Sequence, residues 1–461
     1  MTEAPPVHRP PAALVRLGDA LRSAGFDEAA VLERLGTGST LIAPDEASVE
    51  RRRLGDDRLS DLIRLFLLHE PVDARTLDAE ALELVERDGD AIRSPVAVQP
   101  WRGALVVHDW HEDAPAEDHV VGASGVTEAL ADLTVRRTVG TALDLCTGSG
   151  AQAALMSGHA GSVVGVDVSP RALQLAEWTL ALSGIDNVEL RPGDVRDSCS
   201  GERFDLVVAN PPFVVSPDRR WLFRDAGGAI SRMVVERAAE LLLDGAYATV
   251  LCQWGLGGGE GWDDRPRAWV EGRGCDAWIL RLPTVEAVLD HAANWNRLLQ
   301  RVDPPEFERT IDRWVDHFVR KGIDRVVSGA VVLRRRSGTN WVRADEGSGW
   351  PAEPSGEHIE RLFDGQTLVE SLPDDSALFD LRLAGVPGVR LDETRSYGEE
   401  RLELVAAQLR SALPVRAKVT RAAVDVLIRL DGRATLRDLS CAENALPVIR
   451  ELVALGLLTA G

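Results

Sequence analysis

Apolar and polar positions alternate along this chain in two rhythms. Through residue 115 the spacing is helical: Leu14, Leu17 and Leu21 form one stripe, and residues 58–68 (RLSDLIRLFLL) form a strongly apolar helix that Pro71 ends. The pattern predicts a third helix over 76–87, then strands over 92–98 and 104–108 paired around Pro100. From residue 141 the rhythm changes to short apolar runs, each ending in glycine or polar residues: LDLCTGSGA, VVGVDVS, LRPGDV and VVANPPF. Such runs suit the strands of a parallel sheet buried on both faces. An amphipathic helix over 229–243 and strands over 246–252, 275–282 and 325–334 continue the pattern. Between the last two strands, residues 284–322 read as an insertion of two helices, 285–301 and 306–320, broken at Asp303-Pro304-Pro305. Residues 340–355 (NWVRADEGSGWPAEPS) read as a linker, and helices are expected at 420–430, 435–439 and 444–455, with Leu457 and Leu458 opening a strand.

The tips of the four apolar runs carry the candidate chemistry. After Leu143 and Leu145 the chain breaks into Thr147-Gly148-Ser149-Gly150, where two glycines permit a tight turn and close backbone approach to a ligand. A helix resumes at Ala151, so its first amides face the same cleft. Asp167 ends the second run, where an acidic side chain in a doubly wound sheet accepts hydrogen bonds from ribose hydroxyls. Asp194 ends the third and Asn210-Pro211-Pro212-Phe213 the fourth. The glycine loop alone, D-x-x-x-G-x-G, is a weak signal, because chance matches are common. The order strand–GSG–helix, strand–Asp, strand–Asp, strand–NPPF is far more specific.

With those residues in that order, the chain resembles the class I S-adenosylmethionine-dependent methyltransferases, in the subgroup with an N/D-P-P-Y/F/W motif, over residues 118–336. The resemblance implies an α/β fold, a seven-stranded doubly wound Rossmann-like sheet, with S-adenosylmethionine as cofactor. It implies that Asp144, Cys146, Thr147, Gly148 and Gly150 surround the methionine part of the cofactor. Asp167 would hold the ribose, Asp194 and Val195 the adenine, Val168 would also border the cofactor, and Gly125, Val126 and Thr127 would close over the methionine end. Asn210, which would also border the cofactor, and the Pro211 carbonyl would grip the two N–H groups of a conjugated acceptor nitrogen, with Pro212 shaping the turn and Phe213 stacking on the acceptor plane. The Phe-Arg-Asp-Ala-Gly-Gly run at 223–228 resembles a segment of the protein-glutamine and adenine enzymes. The element order of residues 12–115, and that of residues 416–458, resembles small winged-helix modules. The expected domains are therefore 12–115, 116–338 and 339–461.

Composition narrows the partners without choosing one. A length of 461 residues suggests about two to four domains with ample core. No stretch reaches the ~18 uncharged residues of a membrane span, and the N-terminus lacks a secretory h-region. The five cysteines are scattered and lack C-x-x-C spacing, and His291 and His317 on the insertion read as ordinary, partly exposed residues. Both facts argue against a metal site, and the cysteines suit a reducing cytoplasm. The net charge of −21 counts against broad binding of a polyanion. Arg51–Arg53, Arg136-Arg137, Arg219-Arg220 and Arg334–Arg336 are the local basic exceptions. The expected acceptor is a protein glutamine amide or an RNA nucleobase amine; a small molecule, or an inactive cofactor-binding scaffold, are the alternatives. The chain would act as a monomer or homodimer.

Overall fold

The computed structural model describes residues 11–42, 46–77, 85–110, 117–217, 224–225, 229–351, 353–395, 402–409, 413–441 and 443–460. An eight-stranded sheet forms its centre: β1 (Val139–Leu145), β2 (Ala160–Asp167), β3 (Val188–Pro192), β4 (Phe204–Ala209), β5 (Leu242–Leu256), β6 (Cys275–Ala287), β7 (Arg325–Arg335) and β8 (Val342–Glu346). Their spatial order is β8-β6-β7-β5-β4-β1-β2-β3. Strands β1 to β5 are parallel; β7 runs antiparallel between β5 and β6, and β8 is parallel to β6. The winding reverses between β1 and β4, so the crevice for a ligand lies at the C-terminal tips of those two strands.

The interleaved helices are α1 (Gly125–Leu133), α2 (Ala151–Ser157), α3 (Pro170–Ser183), α4 (Ala229–Glu240), α5 (Asp264–Val270), α6 (Val288–Trp295), α7 (Arg297–Val302) and α8 (Pro304–Arg320). Alternate residues of each central strand go to opposite cores, as the two-residue period of a strand dictates. Ala142, Leu206, Val208, Tyr247, Leu251 and Val332 pack on one face with Leu130 and Leu133 of α1. Leu143, Val207, Ala248, Val250 and Val331 pack on the other with Val234, Val235 and Ala238 of α4. The first face is completed by Ile359, Leu362 and Phe363 of helix Gly356–Ser371. Thus residues beyond 339 share the central core.

Several element boundaries differ from the sequence expectation. Residues 340–355 hold β8 and are not a plain linker: Trp278 Nε1 donates to Asp345, and Arg343 pairs with Asp345 and Glu451, so a polar stretch serves as a sheet edge. Strand β6 runs on to Ala287, so 285–287 is strand where a helix was expected, and α8 starts at Pro304 with Asp303 accepting from the Glu306 amide at 3.0 Å. Proline at the first turn lacks only a donor that would have no partner there.

Upstream, helices Pro11–Ser23, Glu28–Leu35 and Arg58–Leu67 share a core with Leu175, Trp178 and Leu182 of α3. Ile92 belongs to strand Ala91–Arg93, which pairs with Val72-Asp73 and Glu86–Asp88; the hairpin around Pro100 is Ala97–Trp101 with Ala104–His108. Residues 86–87 are therefore strand, and 78–84 of the expected third helix lie outside the described residues. The hairpin's free edge docks on α3, where the Leu105 and Val107 amides donate to Ser183 and Thr179 hydroxyls at 2.9 Å each. Near the C-terminal end, 431–435 is a strand beside Arg382–Gly385, and turn residues follow it where a helix over 435–439 was expected. No helix of the described residues is long and apolar enough to cross a membrane.

Candidate active site

The loop after β1 is braced from inside the protein. Asp144 is almost fully buried, and its Oδ2 accepts from the Thr147 hydroxyl at 2.6 Å and from the Ala153 amide at 3.1 Å. Burial pushes its carboxyl up to about 7 against those two hydrogen bonds. The carboxylate thus joins the loop to the start of α2. Cys146, Gly148 and Gly150 all have positive φ, at 62°, 54° and 78°. Gly150 packs tightly, since a Cβ there would lie 3.0 Å from the Ala176 side chain of α3. Around Gly148, by contrast, a Cβ would meet nothing within 4 Å, so the backbone presents an open face. Burial holds the Cys146 thiol well above its ordinary range, which leaves it protonated and small.

The tip of β2 is tied to the same loop. Asp167 Oδ2 accepts from the Gly148 amide and Oδ1 from the Ser169 amide, both at 2.9 Å, while burial raises its carboxyl from the ordinary value. Each oxygen keeps a second lone pair for a ligand hydroxyl. Val168 beside it is 55% exposed, a large apolar side chain left at the tip of β2. Asp194, after β3, is drawn down to about 2 by bonds from the Arg196 side chain and amide, and Val195 is buried. At the N-terminus of α1, Thr127 Oγ1 accepts from the Ser124 amide, and the Thr127 carbonyl accepts from Gln152 Nε2 at 2.8 Å. Cys146 to Gly150, Asp167 and Asn210 therefore stand at the adjoining C-terminal tips of β1, β2 and β4.

The tip of β4 carries Asn210, Pro211, Pro212 and Phe213. Pro211 is buried, the other three are half-buried, and Phe213 rests on the core below α1. Among the described residues the Asn210 side-chain amide has no hydrogen-bond partner. A side chain with one carbonyl and one NH2 is thus left available at the end of the strand next to β1. Two residues past Phe213, Val215 is fully buried and held through both of its backbone polar groups. Its N–H donates to Gln253 Oε1 of β5 at 3.2 Å, and its carbonyl accepts from His291 Nε2 of α6 at 2.9 Å.

His291 corrects the expectation of an ordinary, partly exposed residue. It is fully buried, with Nδ1 2.8 Å from Glu286 Oε2 and Trp314 and Phe318 around it. Its bond to Glu286 holds that carboxyl below the usual range. Sequence reasoning also passed over Gln253 and Glu286. The available signal was the spacing of Val288, His291 and Ala292, which sets the histidine on the buried stripe of α6.

Most of the arginine clusters are already paired. Arg334 and Arg336 converge on Asp276, Arg51 pairs with Glu70, and Arg53 pairs with Glu50. Arg219-Arg220 and residues 226–228 lie outside the described residues. A cavity of about 510 Å³ lined by Thr141, Asn187, Glu189 and Arg203 opens at the opposite, N-terminal ends of the strands and has no part in this crevice. Among the described residues no cluster of His, Cys, Asp and Glu could hold a metal ion.

Residues 124–251, from α1 through most of β5, match the family model of the methyltransferase small domain. The ribosomal protein uL3 glutamine methyltransferase of Xanthomonas campestris pv. campestris is 45% identical over 85 residues, 18% of this chain and 27% of that protein. The enzyme of the same name from Neisseria gonorrhoeae is 32% identical over 180 residues, 35% of this chain and 59% of that protein. The release factor glutamine methyltransferase of Xylella fastidiosa is 39% identical over 77 residues, 16% of this chain and 28% of that protein. The chain spans less than two thirds of the length of each of these relatives.

Proposed function

We propose that this chain, whose residues 124–251 match the methyltransferase small domain, is an S-adenosylmethionine-dependent N-methyltransferase acting on a glutamine side-chain amide of a protein. The observation that carries this reading is the Asn210 amide, which has no hydrogen-bond partner among the described residues and stands at the end of β4 beside the glycine loop that follows β1. A primary amide is a poor nucleophile because its nitrogen lone pair is delocalised. Asn210 Oδ1 and the Pro211 carbonyl would accept its two N–H bonds, fixing the nitrogen and turning its lone pair toward the loop. Positioning of this kind is where bound geometry contributes most to a two-substrate reaction. Phe213 would lie against the flat face of the amide. No strong base is needed, since the nitrogen becomes acidic as it gains the methyl group and its proton can leave to water.

The crevice fits the cofactor. Gly148 offers an open backbone face, Asp167 has lone pairs to spare, and Val168 supplies an exposed apolar surface. Gly148 and Gly150, with Cys146 and Thr147 between Asp144 and α2, would surround its methionine end, which Thr127 would close. Asp167 would take the ribose, with Val168, Asp194 and Val195 about the adenine. When bound, S-adenosylmethionine supplies a methyl group on a positively charged sulfur. Glutamine is favoured over a nucleobase by the relatives' named activities, by the net charge of −21 and by the pairing of the arginines with acids. Five free cysteines suit a reducing, cytoplasmic setting.

The test is transfer of labelled methyl from S-adenosylmethionine into lysate of a strain lacking this protein, split into protein and RNA. Protease-sensitive label at a glutamine is the expected result. Nuclease-sensitive label would replace glutamine with a nucleobase, and label in neither fraction would move the acceptor to a small molecule or remove the activity.

A further inference from the structure

Resting on that reading, we propose that His291, seated on Glu286, is a positioning residue for methyl transfer: it fixes the Val215 carbonyl and thereby sets the Asn210–Phe213 turn against the crevice. The helical insertion would then be part of the acceptor machinery and not a surface ornament.

The hydrogen-bond count leads there. Val215 O can only accept, so His291 Nε2 must carry the proton in that 2.9 Å contact. Nδ1 meets Glu286 Oε2 at 2.8 Å with one proton between them, and Asn294 Nδ2 donates to Glu286 Oε1 at 2.9 Å. Glu286, itself held by Asn294, thus fixes the orientation in which the ring presents its Nε2 proton to Val215. The ring is fully buried among Trp295, Trp314 and Phe318, so no water competes for Val215. On the N-terminal side of the same residue, Gln253 accepts from Val215 N and donates to Ser328 of β7 at 2.9 Å. Val215 lies two residues past Phe213, too close for the turn to move independently.

The test uses the full chain with labelled S-adenosylmethionine and the methyl-accepting protein fraction. His291→Ala is expected to lower kcat about 100-fold, the scale of a misplacement near 1 Å, with S-adenosylhomocysteine affinity unchanged within twofold. Glu286→Leu, at a side chain 23% exposed and therefore safer for folding, should lower kcat similarly. Glu286→Gln should restore the rate to within about threefold, because its amide N–H can face Nδ1 while its oxygen still accepts from Asn294. Hydrogen exchange of the peptide spanning 210–217 should quicken in the Ala and Leu variants only. Parental rates in both His291→Ala and Glu286→Leu, or loss in Glu286→Gln equal to that in Glu286→Leu, would overturn the inference. A parent that transfers no methyl group at all would instead defeat the proposed function, and unchanged exchange in the two variants would then overturn the tether as well.

Discussion

The two sides of the crevice are built by different means. On the cofactor side no brace spans more than 25 residues: Ser169 to Asp167 spans two, Thr147 to Asp144 three, Ala153 to Asp144 nine, Gly148 to Asp167 nineteen and Gln152 to Thr127 twenty-five. On the acceptor side Val214-Val215 pairs locally with Arg224-Asp225, but the side-chain braces come from afar: Val215 reaches Gln253 across 38 residues and His291 across 76. One side is a self-contained motif on a parallel sheet. The other depends on β5 and on an insertion between β6 and β7 that the motif does not contain. A chain can therefore keep the first side nearly unchanged while the second is rebuilt for a new acceptor. The family model's match is consistent with this, since it ends at residue 251, before the insertion.

The largest effect that would break the comparison is expected at Asn210. Asn210→Ala removes one of the two acceptors that grip the amide and should cut transfer by about 10²–10³-fold. Cofactor affinity, read by calorimetry, should stay within a few-fold, because no cofactor-side brace passes through this side chain. Equal loss of affinity would mean that the two sides are not separable.

The same division explains what the sequence made legible. The strand tips were readable because Asp144, Gly148, Asp167 and Asn210 each sit at a fixed offset from an apolar run, and short-range motifs preserve such offsets. The order of the seven expected strands followed from the same runs. Strand β8 was hidden because VRADE is polar and becomes a strand only by pairing with β6. His291 was hidden for a related reason: its meaning depends on a carbonyl 76 residues away, and no local pattern encodes that. The 435–439 helix was misread because a β partner at Arg382–Gly385 claimed the preceding residues, and tertiary pairing overrides local propensity.

Asp167→Ala should give the reverse of Asn210→Ala. It removes a buried carboxylate that fixes two backbone amides, so cofactor binding should weaken about 10- to 100-fold, in line with hydrogen bonds to a charged group. At saturating cofactor the transfer rate should recover to within a few-fold of the parent. A variant that binds normally yet transfers slowly would shift Asp167 to the acceptor side of the division.

A smaller effect is expected from the N-terminal helix. Gly18 sits against the Leu182 carbonyl of α3, and any side-chain carbon there would collide with it. Gly18→Ala gains about 1 kcal/mol of helix propensity but forces the two helices apart at a cost of about 1–3 kcal/mol, a net loss of up to about 2 kcal/mol. Because α3 begins three residues after Asp167, cofactor affinity should fall together with the melting temperature. Loss of stability with full cofactor affinity would show that the upstream helices merely cover α3.

The smallest expected effect concerns the charge of Asp144, and it separates bracing from ligand contact. Its folded carboxyl lies near 7 and its ordinary value is 3.8, so the folded protein holds this proton more tightly than the unfolded chain. The resulting stabilisation is fully present below the ordinary value and is lost as pH rises through the folded one. Between pH 6 and 8 the loss should be about 1 kcal/mol, from the usual 1.4 kcal/mol per pKa unit. Asp144→Asn keeps an acceptor for Thr147 and Ala153 but does not titrate. Its melting temperature relative to the parent should therefore rise between pH 6 and 8. A pH-independent difference would mean that Asp144 is already charged throughout this range. The brace would then be a buried carboxylate, held for a positively charged ligand group rather than for the loop alone.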